Sequence, residues 1–435
     1  MREFLYPEES TWPELIKRPS QNIMQLEQEV KPILKDVKER GDEALKYYSK
    51  QFDQVEAKSL IVSVYEINQA QKKVNPALKQ AIRLASQNIE KFHRAQKETV
   101  TRIETQPGIL CWQKSVPIER IGLYIPGGTA PLFSTVLMLG IPAKIAGCSE
   151  IVLCTPPDRK GEVDGSILYA AHSVGIQRIY KVGGAQAIAA MAYGTESIPA
   201  VYKIFGPGNQ YVTMAKLLIS LECVAIDMPA GPSEVAIIAD HSAEPDVIAA
   251  DLLSQAEHGS DSQVLLVSTH APLLAQVKES ILFQLVELPR KKIAEAALRN
   301  SILVLLDNVS LALKFVNMYA PEHLIIMTEG PQKIADKVQN AGSVFLGKYA
   351  PESVGDYASG TNHTLPTNAM ARSFSGISLD SFMKKITFQD ISPEGLKNIA
   401  SAIVTMAEAE QLQAHKRAVE MRLEKLNDRL DNEYR

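Results

Sequence analysis

Four histidines stand close to carboxylates or amides, and their spacing frames the chemistry open to this chain. In LLSQAEHGSD (residues 252–261), Gln255 and His258 close an apolar run three residues apart, which puts both side chains on one helix face. One reading is a polar last helical turn with Gly259 just past its end, which is ordinary capping chemistry. The other is half of a metal site, since an amide and an imidazole both offer neutral ligating atoms. In YAPEHLIIM, Glu322 and His323 are adjacent. Their unperturbed pKa values bracket proton transfer near neutral pH, which suits an acid–base pair. His363 follows Asp356 by seven residues in GDYASGTNH, and His415 follows Glu410 by five in AEAEQLQAHK. Gln255, His258, Asp356 and His415 together offer the N and O donors that bind Zn²⁺, although their spacing is no compact motif. His93, His172, His241 and His270 sit in ordinary helical or loop contexts and read as packing or surface residues.

Three glycine turns form a second set: YIPGGTAP (124–131), VGGAQA (182–187) and FGPGNQY (205–211). Each follows a strand-like run and opens a helix, the arrangement that sets backbone N–H groups against a phosphate. None matches GxGxxG, and no acidic residue stands at the usual distance for a ribose. Any one turn alone reads as a change of chain direction. Three in one series, two of them followed at once by Gln186 or Asn209, strengthen the case for a dinucleotide on their shared edge. A cysteine nucleophile is the rival chemistry, but Cys111 and Cys148 have no base beside them in sequence, and such cysteines usually pack.

These residues sit in an alternation of short β-branched runs and helical stretches. ERIGLYIPGG, EIVLCTPP, RIYKVGG and KIFGPGN form one strand series, and SEVAIIAD, QVLLVST, SILVLLD, HLIIMT and GSVFLG form another. The pattern predicts an α/β chain with two Rossmann-like parallel-sheet units. Residues 22–100 read as amphipathic helices, and the stretch from about residue 392 reads as a helical tail without strand signal. The turn-rich segment 353–376 is the longest irregular region, a common location for function.

Composition narrows the classes. A chain of 435 residues exceeds one simple core. Its 46% hydrophobic and 22% charged residues are ordinary for a globular protein, and a net charge of -4 gives no reason to expect nucleic acid. Only four cysteines (Cys111, Cys148, Cys154 and Cys223), none in a CxxC pair, suggest a reducing compartment. With no secretory pattern and no run near ~18 apolar residues, the expectation is a cytoplasmic protein without a membrane span.

The segments GLYIPGGTAPLFSTVLML, VGGAQAIAA, IFGPGN, DMPAGPSE, DLLSQAEHGSDSQ, PEHLI, AGSVFLG, ESVGDYASGTNHTLPT and the tail HK, in this order, closely resemble the histidinol dehydrogenase family. The resemblance implies oxidation of L-histidinol through L-histidinaldehyde to L-histidine, the last steps of L-histidine biosynthesis, with two NAD⁺. It implies one Zn²⁺ per subunit and a homodimer with shared sites. It also implies two incomplete Rossmann-like parallel-sheet domains with helical N-terminal and C-terminal extensions. The expected division is 1–120 with 234–380, 121–233 as the NAD-binding domain, and 381–435 as a dimerisation tail. By the same resemblance, Glu322 and His323 are catalytic, and Tyr124, Gln186 and Asn209 contact NAD⁺. Gln255, His258, Asp356 and His415 ligate zinc, with His415 from the partner subunit. These four, with Ser233, His323, His363 and Glu410, contact substrate. The rivals are a zinc- and NAD-dependent dehydrogenase of another small alcohol, a zinc hydrolase without nucleotide, and a non-catalytic metal-binding protein.

Overall fold

The computed structural model describes residues 1–18, 23–56, 58–127, 130–222, 224–229 and 231–433. Gly128 and Thr129 of the first glycine turn, Cys223, and Ala230 of DMPAGPSE lie outside the described residues. The chain opens with a short strand, β1 (Arg2–Leu5), followed by helices that include Ile23–Arg40 and Pro76–Arg94. In the second, Asn75 caps the start by accepting from the Ala77 N–H, and Pro76 needs no hydrogen bond there. Ile82, Ala85, Ile89 and His93 bury one face of it, as helical spacing requires.

The remaining strands are β2 (Arg102–Gln106), β3 (Ile109–Pro117), β4 (Arg120–Tyr124), β5 (Glu150–Thr155), β6 (Arg178–Lys181), β7 (Lys203–Phe205) and β8 (Ala225–Ile226). Then follow β9 (Glu234–Ala239), β10 (Gln263–Ser268), β11 (Ile302–Leu305), β12 (His323–Met327), β13 (Ser343–Leu346) and β14 (Met383–Ile391). Two parallel sheets confirm the α/β class: β6-β5-β4-β7-β8, and β1-β11-β10-β9-β12-β13. Every residue of β9, β10 and β12 is buried, which is why they read as unbroken apolar runs. β1 pairs parallel with β11 at one edge, a place that the N-terminal sequence did not announce.

Contact density divides the chain into Met1–Gln96 with Ile118–Phe382, and Lys97–Pro117 with Met383–Arg435. The first unit holds both parallel sheets. The second is a three-stranded antiparallel sheet, β14-β3-β2, with the helices Pro393–Ala409 and Gln413–Glu433. Its strands pair from Met383 opposite Pro117 to Ile391 opposite Ile109, and Trp112 stacks on Phe388 at 5.3 Å. The tail expected to be helical over 381–435 therefore begins with a nine-residue strand. Among this unit's described residues only Ile109, Gly395, Ala400 and Ala407 are buried. Among the described residues of the whole chain, no helix is long and apolar enough to cross a membrane.

In the five-stranded sheet the strand order reverses between β4 and β7, and all three glycine turns leave the carboxyl ends of its strands. Gly206, just after β7, has φ +126°, and a Cβ there would stand 2.0 Å from the Tyr124 carbonyl oxygen. Glycine is required at this crossing. Gly206→Ala should lower the unfolding free energy by about 1–3 kcal/mol, the range for such backbone strain. Denaturant unfolding reads it, and an unchanged midpoint would contradict the close approach.

Candidate active site

The acid–base pair lies at the amino ends of β9 and β12, which are neighbours in the six-stranded sheet. Glu322 and His323 are both buried. The Glu234 N–H donates to Glu322 Oε2 at 2.9 Å, and the Glu234 carbonyl lies 3.2 Å from His323 Nδ1. A carbonyl only accepts, so Nδ1 carries a proton and Nε2 is left for other chemistry. His323 Nδ1 is 3.6 Å from Glu322 Oε2, and Nε2 is 3.6 Å from Asp356 Oδ1. Burial pushes the Glu322 pKa up to about 8, against the pull of His323. Burial favours the neutral form of His323, yet the Glu322, Glu352 and Asp356 carboxylates outweigh it and push its pKa up to about 10.

The short helix Glu352–Tyr357, whose last five residues fall in the segment 353–376 expected to be irregular, places Glu352 and Asp356 one turn apart. His258, Glu352 and Asp356 offer ligating atoms within 4.8 Å of one another. Glu352 is the residue that sequence reasoning missed; its signal was its spacing of four from Asp356. Burial raises the Glu352 pKa well above the usual carboxylate range, while the neighbouring histidines hold Asp356 below it despite burial. A nitrogen and two oxygens clustered in a negative pocket fit a divalent cation such as Zn²⁺.

The opening stretch resolves into two roles. The helix Pro245–Ala256 begins with Pro245 at N1 and buries Ile248, Ala249, Leu252 and Leu253. It ends at Ala256 with Glu257 as cap, so His258 lies beyond the helix, and Gly259 lacks the left-handed conformation of a capping glycine. Gln255 is buried. With its amide oriented by its partners, the nitrogen donates to both Glu352 oxygens at 2.5 and 2.8 Å, and the oxygen accepts from the Glu234 N–H at 3.0 Å. Gln255 thus meets His258 through Glu352. Desolvation lowers the His258 pKa and favours the neutral ring, the ligating form.

Ser233 stands directly before β9, half-buried. His363 is satisfied on both nitrogens: Nδ1 donates to the Asp356 carbonyl at 3.0 Å, and Nε2 lies 3.0 Å from the Thr135 hydroxyl. Burial lowers its pKa. Any ligand it binds through Nε2 must displace Thr135. Glu410 and His415 belong to the other unit, where Glu410 ends the helix Pro393–Ala409 and His415 stands in the first turn of Gln413–Glu433. Both are exposed.

At the edge of the five-stranded sheet, the buried Tyr124 hydroxyl accepts from the Gly184 N–H at 3.0 Å. Gln186 is 1% exposed, and its Oε1 has no hydrogen-bond partner among the described residues. Asn209 caps the helix Gln210–Ser220, its Oδ1 accepting from the Tyr211 and Val212 N–H groups at 3.1 Å each. The structure brings Tyr124 and Gln186 to the same turn, with Asn209 across the β4/β7 crevice. The cysteine alternative fails for Cys148: it is buried, and burial pushes its thiol up to about 12, away from thiolate chemistry. Cys154 is buried and shifted in the same direction.

The family described as histidinol dehydrogenase matches residues 16–423. A histidinol dehydrogenase of Bacteroides thetaiotaomicron is 57% identical over 98% of this chain and 100% of its own length. One from Vibrio vulnificus is 52% identical over 92% of each chain. The crystal structure of histidinol dehydrogenase from Elizabethkingia anophelis superimposes with a TM-score of 0.96 at 54% identity, covering 98% of this chain and 99% of that one.

Behind the acid–base pair, Arg18 binds the buried Glu234 carboxylate through two bonds, of 2.5 and 2.8 Å. Arg18→Met leaves that carboxylate unpaired, which should cost about 3–5 kcal/mol. Arg18→Met/Glu234→Gln should recover a good part of it. Denaturant unfolding of both variants checks this, and equal stabilities would show that the pair carries no such weight.

Proposed function

The chain belongs to the histidinol dehydrogenase family, and we propose that it oxidises L-histidinol through L-histidinaldehyde to L-histidine with two NAD⁺, closing L-histidine biosynthesis in the cytoplasm. The observation that carries this reading is the buried Glu322–His323 pair beside the His258–Glu352–Asp356 cluster. His323 takes the hydroxyl proton at Nε2, because the Glu234 carbonyl commits Nδ1 as a donor. Glu322, held through Oε2 by the Glu234 N–H, takes a proton from the water that attacks the aldehyde.

The proposed zinc ligands are Gln255, His258, Asp356 and His415 of the partner subunit. Bound there, the cation supplies positive charge that orients the substrate's nitrogens and offsets the carboxylates that now hold His323 protonated. Gln255 would ligate through its oxygen after a half-turn of its amide, which carries that oxygen from the Glu234 N–H to the side of Glu352. Ser233, His363 and Glu410 surround the substrate. Residues 121–233 form the NAD-binding domain, with Tyr124, Gln186 and Asn209 as contacts. The dimer reading is supported by the second unit, where Ile103, Ile386, Phe388, Ile391 and Met406 are exposed around a very small core. Apolar surface on so small a unit calls for a covering partner.

Zinc-loaded enzyme with excess NAD⁺ should form two NADH per L-histidinol; a ratio near one would mean that the aldehyde is released. Glu322→Gln should slow oxidation of the aldehyde much more than that of the alcohol, and equal loss of both half-reactions would overturn the division of roles. Mixing His415→Asn and Glu322→Gln subunits should return activity, since one site of each heterodimer is then intact. No return would argue for sites built within one chain.

A further inference from the structure

Beneath the turn that leads to Asn209 lies a buried charge pair that the proposed chemistry does not use. Lys216 lies on the helix Gln210–Ser220 and Asp227 lies directly after β8; their side chains form an ion pair with 4% and 1% exposure. The Lys216 ammonium also donates to the Gly206 carbonyl at 2.9 Å. Asp227 Oδ2 accepts from the Gly206 N–H at 2.8 Å, and Oδ1 accepts from the Met228 N–H at 2.8 Å. One ion pair therefore holds both polar backbone groups of a single residue.

That residue is the glycine whose positive φ lets the chain pass against the Tyr124 carbonyl. The chain then runs through Pro207 and Gly208 to Asn209, whose side-chain oxygen is already fixed by the Tyr211 and Val212 amides. Each link from ion pair to Asn209 is a named contact or one of three covalent steps. Burying two charges costs several kcal/mol per ion in lost hydration, and an apolar pair of similar volume would often stabilise the fold as well or better. Stability alone is thus a poor account of the pair. Its position is the better account, because the crevice where strand order reverses is where a ligand needs backbone held in one shape.

We propose that the Lys216–Asp227 pair is a positioning device for the nucleotide. It locks the Gly206–Asn209 turn in the conformation that receives NAD⁺, and it sets nucleotide affinity rather than the chemistry at Glu322 and His323. The inference rests on reading this sheet edge as the NAD⁺ site.

The test uses full-length, zinc-loaded enzyme. Lys216→Met/Asp227→Asn removes both charges with little change in shape, and Asp227→Asn alone is a milder variant should the double one not fold. In each, the KM for NAD⁺ should rise relative to the KM for L-histidinol, by about tenfold in the double variant. Such a split is not what general loss of stability produces. A folded variant with an unchanged KM ratio overturns the proposal, as does one in which both KM values rise together. Gln186→Ala and Asn209→Ala separate the two readings. If neither raises the KM for NAD⁺, the edge is not the nucleotide site. If they raise it and the charge-pair variants do not, the positioning role alone falls.

Discussion

Everything at the amino edge of the six-stranded sheet hangs on Glu234. Its backbone N–H holds Glu322 and Gln255, its carbonyl sets the tautomer of His323, and its carboxylate accepts from Arg18 and from the Asn368 N–H at 2.9 Å. Arg18 in turn lies 4.0 Å over the Tyr319 ring and donates to the Tyr319 carbonyl at 2.8 Å. A first strand residue can do this because its polar backbone groups are only partly committed to the sheet ladder. Shifting the strand by one residue would turn all of these groups to the wrong side. The register that pairs Val235 with His323 is thus also the register of the chemistry.

The two sheets carry their candidate sites at opposite ends. Ligands of open α/β sheets bind outside the carboxyl ends of strands, and the glycine turns of the five-stranded sheet obey that rule at β4 and β7. The acid–base pair and its carboxylates stand instead at the amino ends of β9 and β12, although the strand order reverses there too. A carboxyl-edge helix start offers bare N–H groups, which suit phosphates. The amino edge of β9 offers one donor and one acceptor to side chains, and that is what an acid–base pair needs.

The β/α alternation was legible because strands buried on both faces must be apolar runs, as in QVLLVS and HLIIM. β2 and β14 were not legible for the converse reason. All of RIETQ and all but the first residue of MKKITFQDI are exposed, and β14 pairs with β3 from some 270 residues away. Burial left no mark on them, so nothing in composition marks them as strands. Gln255, His258, Glu322, His323 and Asp356 could be named from sequence, but their meeting depends on Glu234 and Glu352. Each of those looks like an ordinary acid at a strand or helix start. The capping role read into Gly259 failed because the helix stops three residues earlier, which frees His258 to leave the helix face.

Charge balance ties these observations together. Glu234 has Arg18 as a permanent counter-ion, and Asp227 has Lys216; both pairs are buried and neutral as units. Among the described residues no arginine or lysine pairs with Glu322, Glu352 or Asp356, and the positive charge that acts on them comes from the imidazoles of His323, His363 and His258. Protons on His323, Glu322 and Glu352 can neutralise the cluster, but a protonated His323 cannot accept a proton from an alcohol. Base chemistry at Nε2 therefore needs a positive charge that is not a proton. His258, Glu352 and Asp356 converge beside that ring, so the base role proposed for His323 and the donor set both favour the proposed cation.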